Sequence, residues 1–212
     1  MIPFSIQYRL SLLSASRLLL SAFLLLIGLG SQVVAKSTGA EDFAFPPKNS
    51  WIFVAGLVEW QDVESLDSFP KENRQDDAMV ETFRKAGVPT NHIVHIQDKK
   101  ASLEHLKEAL TSLLERIPED GVLLFYYEGH GYVDKVNGKN DVFFAPWDAS
   151  EKIGGWSMRG VVEQIYAKFK GRRVLLLADC CNSGAMVEAA RQLAKSHPDG
   201  YKKERNTKYS VD

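Results

Sequence analysis

The sequence has very little cysteine and no excess of either charge. Its two cysteines, Cys180 and Cys181, are neighbours in a chain of 212 residues. Neighbouring cysteines cannot join distant parts of a chain, so a fold held together by disulfides is excluded. The 26 basic and 27 acidic side chains give a formal net charge of −1. Because nucleic-acid-binding domains usually carry a basic excess, this balance gives no indication of a nucleic-acid partner.

The composition also excludes fibrous and disordered classes of protein. The 15 glycines and 8 prolines show no regular period, unlike those of a collagen chain. A hydrophobic content of 45% is too high for an intrinsically disordered chain. The length is sufficient for one domain with a real hydrophobic core and a short additional segment.

Charge is nearly absent from the first 35 residues, which carry only Arg9 and Arg17. An uncharged stretch of 18 residues, 18–35, follows them and ends in Val-Val-Ala. A positive flank, an apolar segment and small residues at its end predict a secretory signal peptide. Because 18 uncharged residues also reach membrane-spanning length, an uncleaved anchor is the alternative. The first interpretation predicts a secreted or periplasmic protein, and the second a membrane-anchored one with its domain outside the cytoplasm.

The rest of the chain divides into a linker, one domain and a tail. Residues 36–50 contain Gly and Pro without an apolar period, which predicts a linker. The domain is expected over residues 51–200, and the polar residues 201–212 form a linker-like tail. Four short apolar runs in the domain predict buried strands, at Trp51–Val58, His92–Gln97, Val122–Tyr127 and Val174–Ala178.

Helical periodicity separates these apolar runs. Apolar residues recur at helical spacing after Asp76, after Ser102, over 158–169 and over 185–194. Residues 133–140 are polar and contain Gly138, and a brief extended piece is expected at 142–145. Continuously apolar strands that alternate with helices predict an α/β fold, a three-layer sandwich with a mainly parallel sheet.

Reactive residues follow two of the four predicted strands. Gly129-His130-Gly131 follows the third run, and Asp179-Cys180-Cys181-Asn182-Ser183-Gly184 follows the fourth. Sites in open parallel sheets lie outside the carboxyl ends of the strands. A thiolate is a strong nucleophile, and an imidazole beside it can accept its proton. We therefore expect a Cys-His site here; the alternatives are a structural histidine and an inert buried thiol.

The sequences YYEGHGY and VLLLADCCNSG resemble the caspase-like cysteine peptidases, and more closely their metacaspase and bacterial branch. His130 and Cys181 are 51 residues apart, close to the caspase spacing of about 50. The stretch FFAPWDAS between them looks like the family strand that ends in Pro-x-Asp. The resemblance extends from about residue 51 to residue 194. It implies a caspase-like fold and hydrolysis of peptide bonds in a peptide or protein substrate, with no cofactor.

The resemblance also assigns catalytic roles to individual residues. His130 would be the general base and then the general acid, and Cys181 matches the nucleophile. The backbone amides of Gly131 and Cys181 would form the oxyanion hole. Cys180 stands where the family has a small residue, and we expect it to belong to the core or the wall of the site.

Three acidic residues are candidates for binding the substrate. The resemblance implies that Asp179 and Asp77 bind a basic side chain, so that cleavage follows Arg or Lys. Glu128 stands where the family commonly has Ser, two residues before the histidine. It either strengthens the basic-side-chain pocket or perturbs His130. Acids at 76 and 77 can also serve only as caps of the helix that begins there.

The sequence departs from the family after the nucleophile. It ends 31 residues after Cys181, whereas the family continues with a small-subunit region that completes the sheet. The alternative function is therefore a catalytically silent or incomplete caspase-like binding module that needs a partner chain. The resemblance also leaves room for a calcium ion near Asp134, Asp141 and Asp148, although no metal ligand set is evident from the sequence.

Overall fold

The computed structural model describes residues 45–197. The predicted signal peptide or anchor and the predicted tail lie outside these residues and stay predictions. Within residues 45–197, no helix is long and apolar enough to cross a membrane.

The described chain contains seven strands and four α-helices. The strands are β1 (Ser50–Gly56), β2 (Ile93–Gln97), β3 (Val122–Glu128), β4 (Gly131–Val136), β5 (Lys139–Phe144), β6 (Trp156–Ser157) and β7 (Arg173–Asp179). The helices are α1 (Asp76–Lys85), α2 (Leu103–Arg116), α3 (Met158–Lys168) and α4 (Gly184–Ser196).

The four predicted strands form one parallel sheet in the order β2-β1-β3-β7. β1 and β3 are paired over their whole length, and Glu128 at the end of β3 lies opposite Asp179 at the end of β7. The carboxyl ends of the strands therefore reach the same edge of the sheet. This arrangement confirms the predicted α/β fold with a mainly parallel sheet.

Helices cover both faces of the parallel sheet. The chain moves in one direction along the sheet from β1 to β2, and in the other direction from β2 to β3 and β7. Right-handed crossovers then place α1 on one face and α2 and α3 on the other. The second face holds the main hydrophobic core, which includes Phe53 and Phe125 of the sheet and four buried leucines of α2.

β7 is an edge strand among the described residues. Every residue of β1 and β3 is buried, whereas residues 173–178 of β7 are only half-buried. A strand at the edge of a sheet offers main-chain groups to which another strand can bind.

A second, antiparallel sheet follows His130 in the chain, and its strands lie in the order β4-β5-β6. The polar residues 133–140, for which the sequence predicts no element, belong to the outer part of β4 and β5, and these strands continue to a two-residue turn at Asn137 and Gly138. Their φ angles, 53° and 76°, are those of a type I′ hairpin turn. The exposed strand ends carry polar side chains on both faces, which removed the alternating pattern expected of a strand.

Candidate active site

The two strand ends predicted to carry the chemistry lie side by side. The main-chain N–H of Gly129 donates to the carbonyl oxygen of Asp179 at 3.2 Å, just beyond the last paired residues of β3 and β7. The side-chain amide of Asn182 lies 3.5 Å from the carbonyl oxygen of Gly131. The structure thus brings the His130 loop against the Cys181 loop.

Gly131 makes this close approach possible. A Cβ atom at this position would lie 2.1 Å from the carbonyl oxygen of Cys181 and 3.0 Å from the Sγ of Cys180. Any side chain would therefore force the two loops apart. The requirement for glycine beside the histidine comes from the packing of the cysteine main chain.

The two neighbouring cysteines have different environments. Cys181 is exposed, whereas Cys180 is half-buried. Burial raises the pKa of the Cys180 thiol to about 12, and the neighbouring Cys181 and Asp179 add to the rise. Cys180 therefore remains a protonated thiol at neutral pH, which leaves Cys181 as the thiol that a substrate can reach.

The imidazole of His130 is oriented by a main-chain carbonyl group. Its Nε2 lies 2.8 Å from the carbonyl oxygen of Asp67. A carbonyl oxygen only accepts hydrogen bonds, so Nε2 must carry a proton. In the neutral ring Nδ1 then has the free lone pair and can accept a proton from a nucleophile.

Two aromatic side chains enclose the same imidazole. The ring centroids of Trp60 and Phe69 each lie 4.4 Å from that of His130. The resulting desolvation lowers the pKa of His130. The imidazole is therefore mainly neutral at pH 7, the form that a general base requires.

Hydrogen bonds to main-chain carbonyl oxygens hold the side chains of Trp60 and Tyr127 close to His130. The indole N–H donates to the carbonyl oxygen of Ala145 at 3.0 Å. The hydroxyl group of Tyr127 lies 2.9 Å from that oxygen and 3.0 Å from the carbonyl oxygen of His130. Trp60, Asp67 and Phe69 were not predicted from the sequence, in which the only signal for them was two aromatic residues close to a polar loop.

Glu128 is buried at the end of β3, where it meets the first turn of α1. Its two carboxylate oxygens each accept the N–H of Gln75 at 3.0 Å, and Oε2 also accepts the N–H of Asp76 at 2.8 Å. Burial raises the pKa of Glu128 to about 7, and the negative charges of Asp76 and Asp179 contribute to the rise.

Asp76 is fully buried beside Glu128 and bound to an arginine. Nε of Arg74 lies 3.0 Å from Oδ1 of Asp76, and Nε2 of His95 lies 2.8 Å from Oδ2. Burial opposes ionisation of Asp76, but hydrogen bonds from His95, Gln97 and Arg74 outweigh it and hold the pKa at about 2.

The same arginine joins three parts of the chain. Besides Asp76, its guanidinium donates to the carboxylate of Asp98 at 2.6 Å and to the carbonyl oxygen of Gly56 at 2.8 Å. Arg74 therefore links the end of β1, the residue after β2 and the start of α1. This buried network was not predicted from the sequence.

The other two predicted substrate-binding acids are exposed. Asp77 lies in the first turn of α1, where the side-chain amide of Gln97 donates to its Oδ1 at 3.1 Å. Asp179 lies at the exposed end of β7, opposite Glu128. The three predicted acids thus lie at one edge of the sheet, with two in contact with solvent and Glu128 buried.

Asp76, Asp77 and His95 are close enough for a metal ion, with one ligand atom of each within 4.8 Å of the others. However, Arg74 already balances the charge of Asp76, and Gln97 donates to both carboxylates. These contacts explain the cluster without a metal ion.

Two of the aspartates near which the resemblance leaves room for calcium have structural partners. Asp148 accepts the N–H of Leu103 at the start of α2, at 2.8 Å. Asp141 accepts the hydroxyl group of Ser157 at 2.9 Å. The calcium ion stays a prediction.

Comparison with known proteins identifies one family. A family model described as "Caspase domain" matches residues 70–211, which is more than half of the chain and includes every predicted site residue. Among solved structures, protein GSU0716 from Geobacter sulfurreducens is similar, with 17% identity and a TM-score of 0.48. The match covers 70% of this chain and 56% of that one, so this chain spans little more than half of its length. No curated protein matches the sequence significantly.

Proposed function

We propose that this chain, which belongs to the caspase domain family of cysteine peptidases, is an endopeptidase that cleaves after Arg or Lys. The observation that carries this proposal is the pairing of an exposed thiol with an oriented imidazole on adjoining loops. Cys181 is exposed, and the Nε2 of His130 donates to Asp67 so that Nδ1 is available as a base.

Each catalytic group would act in turn on the scissile peptide bond. Nδ1 of His130 takes the thiol proton of Cys181, and the sulfur attacks the carbonyl carbon to form a C–S bond. The imidazolium then gives this proton to the leaving nitrogen as the C–N bond breaks. Water, deprotonated by the same imidazole, hydrolyses the thioester and restores the thiol.

The oxyanion of the tetrahedral intermediate needs aimed donors. We assign this role to the backbone amides of Gly131 and Cys181, which lie on the two loops that pack together. One donor of this kind typically lowers the barrier by about 3 kcal/mol. The contact between Gly131 and the cysteine main chain supports the assignment, because it keeps both amides in one place.

The preference for a basic side chain rests on three carboxyl groups at the sheet edge. Asp77 and Asp179 are exposed and would contact the guanidinium or ammonium group of the substrate. Glu128 lies buried beneath them and adds negative charge when it is ionised. Carboxylates in a partly desolvated pocket form strong charge-assisted hydrogen bonds with Arg and Lys.

A second candidate function is an incomplete module that needs a partner chain. The half-buried strand β7, which lies at the edge of the sheet among the described residues, favours it, because a strand of a small-subunit-like partner would pair there and cover residues 174–178. We also propose that the protein is exported, on the basis of the uncharged segment 18–35.

Hydrolysis of fluorogenic peptides tests the proposal. Peptides that end in Arg, Lys or Asp are incubated with the reduced protein, with and without calcium. We expect cleavage after Arg and Lys, complete loss in Cys181→Ala and retention in the matched variant Cys180→Ser. Cleavage after Asp alone, or activity that survives in Cys181→Ala, would contradict the assignment. Activity that appears only with an added partner chain would support the second candidate.

A further inference from the structure

Glu128 joins the end of a central strand to the start of a helix. It is 8% exposed and lies opposite Asp179, while both of its carboxylate oxygens accept the N–H of the N-cap residue Gln75 and Oε2 also accepts the N–H of Asp76, the first residue of α1. The acceptor for a helix N-terminus is usually a side chain at the N-cap itself. Here the N-cap residue, Gln75, makes no side-chain capping bond, and a residue 53 positions away supplies the acceptor.

The amides that Glu128 binds adjoin the proposed specificity residue. Glu128 accepts the N–H of Gln75 and of Asp76, and the next residue is Asp77. Removing the carboxylate would leave two buried or half-buried N–H groups without this acceptor. The first turn of α1 would then be free to shift, and Asp77 would move with it.

We propose that Glu128 is a positioning residue, which sets the place of Asp77 in the basic-side-chain pocket through its bonds to the first turn of α1. This inference rests on the proposed function, because it assumes that Asp77 binds the cation. It gives Glu128 an indirect role in recognition instead of a direct contact, and it accounts for a carboxylate where the resemblance leads us to expect serine.

Charged and titratable groups from four elements surround this carboxylate. Asp76 of α1 and Asp179 of β7 repel its negative charge, and the Tyr126 hydroxyl group lies near it on β3. His95 of β2 and the Arg74 guanidinium reach it only through Asp76. Because the negative neighbours and burial favour the protonated form, Glu128 changes charge near neutral pH, where its pKa is about 7.

The sign of the pH effect follows from this arrangement. Above pH 7 the ionised carboxylate is the better acceptor for the two amides and adds negative charge beneath the pocket. Affinity for a cation in the pocket should therefore rise as the pH increases through 7. A Gln side chain at position 128 keeps an acceptor oxygen but cannot ionise, so this pH dependence should disappear.

The test uses benzamidine, a small cation, and hydrogen exchange of the Gln75 and Asp76 amides. Glu128→Ala should weaken benzamidine binding about tenfold and speed exchange of the two amides about tenfold, as expected for loss of a helix cap. Glu128→Gln should restore most of the affinity at pH 6 and give a dissociation constant that does not vary between pH 6 and pH 8. Glu108→Gln, at an exposed position of α2, is the matched control and should behave as the wild type.

In peptide cleavage, Glu128→Ala should raise KM and change kcat little, because the dyad itself is intact. Unchanged affinity in Glu128→Ala, or amide exchange at Gln75 and Asp76 that is as slow in Glu128→Ala as in the wild type, would overturn the positioning role. Wild-type protein that neither cleaves Arg peptides nor binds benzamidine would overturn the proposed function and the positioning role together. Accelerated exchange with unchanged affinity would overturn the positioning role alone, because the cap would then be only structural.

Discussion

Gly131 is the residue at which packing and chemistry are most closely linked. The Cβ of Gly131→Ala would lie 2.1 Å from a main-chain oxygen of Cys181, which a side-chain rotation cannot relieve. We expect a loss of stability of about 1–3 kcal/mol from overpacking. We also expect kcat/KM to fall about 100-fold because the proposed oxyanion donors, the backbone amides of Gly131 and Cys181, would move.

Urea unfolding and peptide cleavage measure these two effects. Gly160→Ala is the matched control, since its Cβ would meet only an ordinary contact, 3.5 Å from Ser157. Wild-type activity in Gly131→Ala would show that the two loops need not be in contact for catalysis.

The candidate reactive residues could be predicted from the sequence, but the groups that surround them could not. His130 and Cys181 could be identified because each follows an apolar run beside glycine. Asp67, which orients the imidazole, lies 63 residues before His130, and no local pattern connects them. Glu128 could be recognised as unusual, but its partners in α1 depend on how β3 packs against that helix.

Two carboxyl groups meet at the start of helix α1, that of Asp76 in the helix and that of Glu128 at the end of β3, and pH changes their contributions to stability in opposite directions. The pKa of Asp76 is held at about 2, below its ordinary value of 3.8, so Asp76 stabilises the fold above pH 4 and loses this effect as the pH falls through 2. The pKa of Glu128 is raised from 4.5 to about 7. Its contribution is therefore most favourable below pH 4.5 and is lost as the pH rises through 7.

Asp76→Asn separates these two effects. The shift of its pKa corresponds to about 2 kcal/mol. The difference in free energy of unfolding between wild type and Asp76→Asn should therefore shrink by about 2 kcal/mol from pH 5 to pH 2. Urea unfolding over this pH range measures it, with Asp77→Asn at the neighbouring exposed position as control. A difference that stays constant with pH would mean that the hydrogen bonds from His95, Gln97 and Arg74 do not lower the pKa of Asp76.

Elements with a strong hydrophobic pattern could be predicted from the sequence. The four parallel strands and the starts of α1 after Gln75 and of α2 after Ser102 agree with the prediction, and the Ser102 side chain caps α2. The β4–β5 hairpin could not be recognised by its pattern, because its outer part has no buried face. The Asn137-Gly138 pair was the available turn signal.

The whole domain places its chemistry at one edge of a parallel sheet. That edge gathers an exposed thiol, an enclosed imidazole and three carboxyl groups from β3, β7 and α1. The half-buried strand β7 is the outermost strand of the described sheet and ends just before the cysteine loop. A partner strand paired with β7 would therefore lie next to that loop. The thiol, the imidazole and the carboxyl groups are neighbours because of the order of the strands in the sheet, and this order could not be predicted from the sequence.

The most direct test of the account is covalent capture of the nucleophile. A peptide chloromethyl ketone that ends in Arg is incubated with the reduced protein, and mass spectrometry locates the adduct. We expect one adduct, on Cys181, and its formation should be greatly slowed by the His130→Ala substitution and by excess benzamidine. Cys180 should remain unmodified because its thiol stays protonated. Modification of Cys180 in preference to Cys181, or a rate that His130→Ala leaves unchanged, would contradict a Cys181–His130 peptidase.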